Sequence, residues 1–312
     1  MINPAAEKRL QLLFPNSNRA LAEAFRQATP EQLALMQEAK GVKELLASLT
    51  GEALRNAKSD TLLLEILRNS PAFRELGSFT DTLETLLQHL GKEQKFSVLQ
   101  AKLQAFLKFA AASPEALRRQ LTDSGIFLES KLLASAGGDR SVPLSGDVKA
   151  LLLQLQQELH RTSAPGAAET LKLTERLLMQ IDYHQLYSHL SNAAVLYFPY
   201  AWDLLEEGTL AFKKAEDRTF YCRIELTLKT FGALHLLVAL SGEKQVMIRA
   251  RTEQEALMQR LREQLPVLRG ALRQAGLDVQ GIEIGRFAPP AKNSGAYGGE
   301  NGDTDLGFEV KI

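Results

Sequence analysis

Apolar residues in the first part of the chain recur at steps of three and four, the spacing that lines one face of an α-helix. In "FTDTLETLLQHLG", Leu83, Leu86, Leu87 and Leu90 share a face and Gly91 follows them. "FSVLQAKLQAFLKFAA" repeats the stripe with Phe96, Leu99, Leu103, Phe106 and Leu107. Stops and starts divide these stripes. "TPEQLALMQEAKG" offers Thr29 as a cap, Pro30 at the first helical position and Gly41 beyond the end. "SDTLLLEILRNSP" ends before Pro71, and "SPEALRRQL" restarts with Ser113 and Pro114. Two more helices, "DVKALLLQLQQELHR" and "AETLKLTERLLMQIDYHQLYSHLSNA", each follow a Gly/Ser/Pro passage, near 135–146 and 162–168, that reads as a loop or hinge. Residues 1–194 are therefore expected to be an all-α N-terminal region.

Beyond about residue 194 the period falls from 3.6 to 2. In "RTFYCRIELTLK", Phe220, Cys222, Ile224, Leu226 and Leu228 alternate with Tyr221, Arg223, Glu225, Thr227 and Lys229, which predicts a strand with the first set buried. "GTLAFKK" reads as a strand before it. Gly232 marks a turn, and "ALHLLVALSGEKQVMIRA" supplies two strands joined near Ser241 and Gly242. "RTEQEALMQRLREQLPVLRGALRQAG" returns to helix with Leu257, Leu261, Leu265, Leu268 and Leu272 in one stripe, and Pro266 must kink it or begin a second helix. "LDVQGIEIGRF" closes the unit as a strand. The aromatic group Tyr197, Phe198, Tyr200 and Trp202 reads as core or junction packing. The prediction is an α+β fold: the helical region, then a domain over 195–288 with a mainly antiparallel sheet covered by a kinked helix, then a flexible tail over 289–312.

Composition adds little that is specific and excludes several classes. Lys and Arg total 37, as do Asp and Glu, so no excess charge draws the chain to nucleic acid. The N-terminus lacks the features of a cleaved secretory signal, and no run of about 18 apolar residues suggests membrane insertion. A soluble protein made in the cytoplasm is expected. Cys222, the single cysteine, falls on the apolar side of its strand and reads as a small buried hydrophobe. His184 and His189 lie five apart rather than the four that would set two imidazoles on one helical face, and no metal is expected. "GAYGGENGDTDLG" lacks both the Lys-Ser/Thr of a phosphate loop and the spacing of a calcium loop, so no cofactor is expected either. Arg249, Arg251, Arg260, Arg262, Arg269 and Arg273 read as a solvated face balanced by Glu253, Glu255 and Glu263, or as a surface for an acidic partner. No catalytic order of nucleophile, base and acid is recognisable, so no enzyme activity is expected.

The stretch from Tyr197 to Phe287 resembles the C-terminal domain of flagellar hook-length control proteins, the FliK family. "LTLKTFGALHLLVAL" corresponds to its strand pair, and "LREQLPVLRGALRQAGLDVQGIEI" to its helix and last strand, with Leu261, Arg262, Leu265, Pro266, Leu268, Arg269, Leu272, Gly276 and Leu277 in the family's places. Farther upstream, "SGIFLESKLL", residues 124–133, looks like a stretch that precedes the domain in some members. Two departures stand out: Leu228 where many members have proline, and Phe231 where they have leucine before the glycine. The Pro/Gln/Ser-rich middle typical of the family is also missing.

The resemblance implies a protein without catalytic activity that is exported through the flagellar type III apparatus without a cleaved signal. It would control hook length and meet the cytoplasmic domain of the export gate protein FlhB to switch export specificity, with hook and hook-cap proteins as further possible partners. Phe231, Gly232 and Leu234, with Arg262, Arg269 and Arg273, are the candidate partner-binding residues. If the helical region acts as a ruler, the first 190 or so residues reach roughly 65 nm extended but only about 29 nm as helix. The alternative from the residues alone is a cytoplasmic helical scaffold or adaptor that binds a protein through its sheet domain.

Overall fold

In the computed structural model, the chain divides into two compact units, residues 1–190 with 199–201 and residues 191–198 with 202–312. The structure describes residues 19–20, 23, 26, 64, 66–67, 70–107, 114–136, 144–161, 166–191, 193–197, 204–215, 219–242 and 244–287. The expected helix at 29–41, the expected tail at 289–312, and Phe198, Tyr200 and Trp202 lie outside the described residues, as do most of the two proposed hinges.

The first unit contains α1 (Pro71–Arg74), α2 (Phe79–Leu90), α3 (Ser97–Leu107), α4 (Pro114–Thr122), α5 (Leu128–Ala136), α6 (Val148–His160) and α7 (Ala167–Ser191). The predicted stripes are the faces that pack. Leu83, Leu86, Leu87 and Leu90 of α2 are buried, and so are Leu99, Leu103, Phe106 and Leu107 of α3. Phe96 is buried too, but in a single 3-10 turn that precedes α3. Caps set the starts. The Ser78 hydroxyl accepts from the Asp81 N–H at 3.3 Å, and the Asp147 carboxylate accepts from the Ala150 N–H at 3.2 Å, each satisfying a donor that the helix itself leaves open. A cluster of Ala20, Leu64, Ile66, Leu67 and Phe73 packs against Leu186 and Leu190 of α7.

The second unit is a six-stranded sheet in sequence order: β1 (Ala194–Tyr197), β2 (Leu205–Lys214), β3 (Phe220–Leu228), β4 (Gly232–Ser241), β5 (Gln245–Thr252) and β6 (Asp278–Gly285). β1 to β5 form an antiparallel meander; β6 pairs with β5 in parallel, and α8 (Glu255–Gln274) makes the crossover that a parallel pair requires. This is the α+β architecture expected. The strand β1 was not, because "AVLY" is short and runs into an aromatic, proline-containing stretch. Pro266 lies inside α8 without dividing it, so one helix rather than two covers the sheet.

The register sets the core. Leu210, Ile224, Leu236, Ala250 and Ile284 stand in one cross-strand row, and Leu226 opposite Leu234 begins the next. Leu205, Leu226, Leu228, Leu234, Ala250 and Leu257 form the buried cluster, with Phe231 and Leu261 packed at its margin. One expectation is corrected at the other end of the sheet: Phe220 is 51% exposed. α8 packs chiefly on β6 and less on β5, so it does not reach the end of β3 where Phe220 sits. The Lys214 ammonium lies 5.3 Å from the centre of the Phe220 ring instead.

Candidate protein-interaction surface

The β3–β4 connection is three residues, Lys229, Thr230 and Phe231, followed by Gly232 at φ 66°. A left-handed glycine after three residues is the geometry by which such a hairpin closes while keeping its register. A Cβ at Gly232 would meet nothing within 4 Å, so the backbone angle and not crowding selects glycine there. The Lys229 N–H donates to the Leu204 carbonyl at 2.9 Å, tying the turn to the start of β2. Phe231 is thereby held half-buried at the rim of the core, while Leu234 points into it and is buried.

The six sequence-predicted residues do not form one patch. With 3.6 residues per turn, Arg262, Arg269 and Arg273 fall within about 40° of one another on α8, about 100° around from the leucine stripe, and span about 16 Å of helix. Arg260 lies on the opposite flank of that stripe, and its guanidinium carbon stands 5.1 Å from the centre of the Phe231 ring. The hairpin turn thus recruits an arginine that sequence reasoning had grouped with the others, while Arg262, Arg269 and Arg273 make a separate basic line. Spacing alone could have separated them, because 260 and 262 differ by more than half a turn.

Arg262 contacts Glu255 at 3.5 Å, and Glu255 also meets Arg286 at 3.2 Å beyond the end of β6. These pairs are exposed and contribute little to stability. Past Glu263 the helix has no acidic residue, and two apolar side chains there are exposed: Val267, 67% exposed on the Arg260 flank, and Leu268, 39% exposed within the leucine stripe. Arg269 is half-buried and Arg273 exposed. By contrast, Arg249 and Arg251 of β5 both pair with Glu283 of β6, at 3.3 and 3.4 Å. They belong to the internal charge balance of the sheet's other face.

Cys222 is half-buried rather than buried as its alternation predicts, and that partial burial pushes its thiol up to about 11, which keeps it protonated at neutral pH. Burial likewise lowers His184 in α7 to about 4, so its imidazole is neutral. Among the described residues there is no cluster of three or more His, Cys, Asp or Glu suited to a metal ion, and no helix long and apolar enough to cross a membrane. The surface presents the half-buried Phe231 and exposed apolar positions of α8, with the Arg262, Arg269 and Arg273 line on a separate flank, residue types enriched at protein interfaces.

Comparison with known proteins finds one family model, described as flagellar hook-length control protein FliK, that matches residues 209–291. The match starts within β2 and takes in the β3–β4 turn, α8 and β6, which is the whole of the surface described above. No curated protein and no solved structure matches the chain.

Proposed function

We propose, from the match of residues 209–291 to the flagellar hook-length control family, that the protein is itself exported by the flagellar type III apparatus, acts without catalysis, and switches export specificity by binding the cytoplasmic domain of FlhB. The observation that supports this most is the coincidence of the family match with an exposed apolar and basic surface on α8 and an ordered β3–β4 turn. In this reading Arg262, Arg269 and Arg273 face acidic groups of the partner. Phe231, set by Gly232, supplies an apolar anchor, and Leu234 acts through the core that positions both.

The helical unit is assigned the measuring role. It unfolds to pass a narrow channel, so its extended contour is the length that counts. Insertions before residue 190 are expected to lengthen hooks in proportion, and an unchanged length would reject the ruler while leaving the switch intact. Secretion tests the proposal as a whole. The protein is expected in culture supernatant only when the flagellar apparatus is intact; retention in the cytoplasm of an otherwise flagellated cell would overturn it.

A further inference from the structure

Among the described residues, the helical unit buries two lysines, Lys131 and Lys149, each about 5% exposed. Lys131 donates to Asp123 at 2.7 Å and to Asp147 at 3.0 Å. Lys149 donates to Glu129 at 2.6 Å and to the Gln185 side-chain oxygen at 2.6 Å, and forms an ion pair with Asp182 at 2.8 Å. The Gln185 amide turns back to the Ile126 carbonyl at 3.0 Å and to Glu129. Gly125 completes the arrangement: at φ 89° a Cβ there would lie 2.9 Å from the Lys149 backbone nitrogen. The stretch "SGIFLESKLL", which the sequence singled out and the surface on α8 does not explain, is the hub of this cluster. Its Ser124, Ile126 and Leu128 are buried, and its two charged side chains, Glu129 and Lys131, are both spent inside the unit.

Asp182 belongs to a second contact as well. Its other carboxylate oxygen accepts from the Arg19 backbone N–H at 3.0 Å, while the Arg19 guanidinium donates to Gln156 of α6 at 2.8 Å. Beside it, Ala20 is fully buried in the cluster with Leu186 and Leu190. One carboxylate, 1% exposed, therefore holds both the Arg19 backbone and the lysine that joins α5, α6 and α7.

We propose that Asp182 couples the docking of the N-terminal segment to the buried ion cluster, so that release of the segment around Arg19 unlocks the 123–149 region. The physical reason is desolvation. With Arg19 in place the Asp182 carboxylate has a backbone donor and is 1% exposed; without it Asp182 loses that donor, and any water admitted there screens its attraction to Lys149. Coupling of this kind is reciprocal, so loosening the cluster must also loosen the segment. A chain drawn from its N-terminal side would lose its internal lock as the second event rather than the last. This is a property of the helical unit and would hold whatever the sheet domain binds.

Hydrogen exchange on the full chain tests it. Arg19→Pro removes the N–H that meets Asp182, whereas Arg19→Ala keeps it. We expect Arg19→Pro to raise exchange at least tenfold in the peptides covering 125–131 and 149–155, and Arg19→Ala to change those peptides by less than threefold. An increase confined to the N-terminal peptide would overturn the coupling. Glu129→Gln, which weakens the cluster without touching Arg19, gives the converse measurement. It should raise exchange at 19–26 as well as at its own site, and unchanged exchange at 19–26 would equally reject the proposal.

Discussion

Arg260 sets its guanidinium carbon 5.1 Å from the centre of the Phe231 ring, so that the turn between β3 and β4 is stacked against the helix that crosses from β5 to β6. This fixes a mobile type of element, a three-residue hairpin turn, to a rigid one. Truncating Phe231→Ala should cost about 2 kcal/mol, less than the roughly 3–5 kcal/mol of a fully buried phenylalanine, because the ring is only partly covered. Arg260→Ala should cost about 0.5–1 kcal/mol. Chemical denaturation of both single variants and the double variant checks this; strict additivity would show that the contact carries no energy.

Leu234 and the arginines of α8 are expected to separate stability from recognition. Leu234→Ala empties a buried site and should destabilise the sheet domain by about 2–5 kcal/mol. Reversing Arg262, Arg269 and Arg273 to Glu changes residues whose side chains hold little of the fold, about 0.5 kcal/mol each or less. The triple variant should melt near the parent temperature and yet fail to support filaments. A large loss of thermal stability in it would place these arginines in the fold instead.

His184 makes the helical unit acid-sensitive. Its imidazole stands at about 4 in the folded chain, against 6.5 for an ordinary histidine, because burial penalises the charged form. The unfolded chain therefore binds the proton more readily. The contribution is fully present above pH 6.5 and is lost as pH falls toward 4, by up to about 3 kcal/mol. Urea unfolding followed between pH 7 and 4 should show that decline in the parent and a shallower one in His184→Phe. Parallel slopes would contradict it.

Lys149 is held charged although it is buried: burial works to lower its pKa, and the carboxylates of Asp182 and Glu129 more than offset this, leaving it raised. Lys149→Met should therefore cost about 3–5 kcal/mol, since it strands buried carboxylates. Gly125→Ala should be costly too, because the position combines a left-handed backbone with no room for a methyl group. Circular dichroism melts of the two variants measure both effects, and a melt unchanged from the parent in either would refute that assignment.

Much of this was legible in the chain because periodicity reports directly on which face of an element is buried. The leucines of α2 and the strands β3, β4 and β5 follow from spacing alone. Alternation names the side of a strand that turns inward but not how far the covering helix extends, and this is why Phe220 looked buried and is not. β1 escaped because four residues cannot establish a period. The ion cluster was invisible for a different reason: Lys149 and Asp182 occupy polar positions on two helices, and only the packing of α6 on α7 reveals that those positions face each other. The division of the α8 arginines into two flanks was latent in their numbering, yet it acquired meaning only once Phe231 was seen to meet one of them.

The most direct measurement of the central claim is hook length, read by electron microscopy, in cells whose only copy of this protein lacks residues 195–312. Loss of the switch predicts hooks that grow far beyond normal length and carry no filament. Hooks of normal length bearing normal filaments would contradict it.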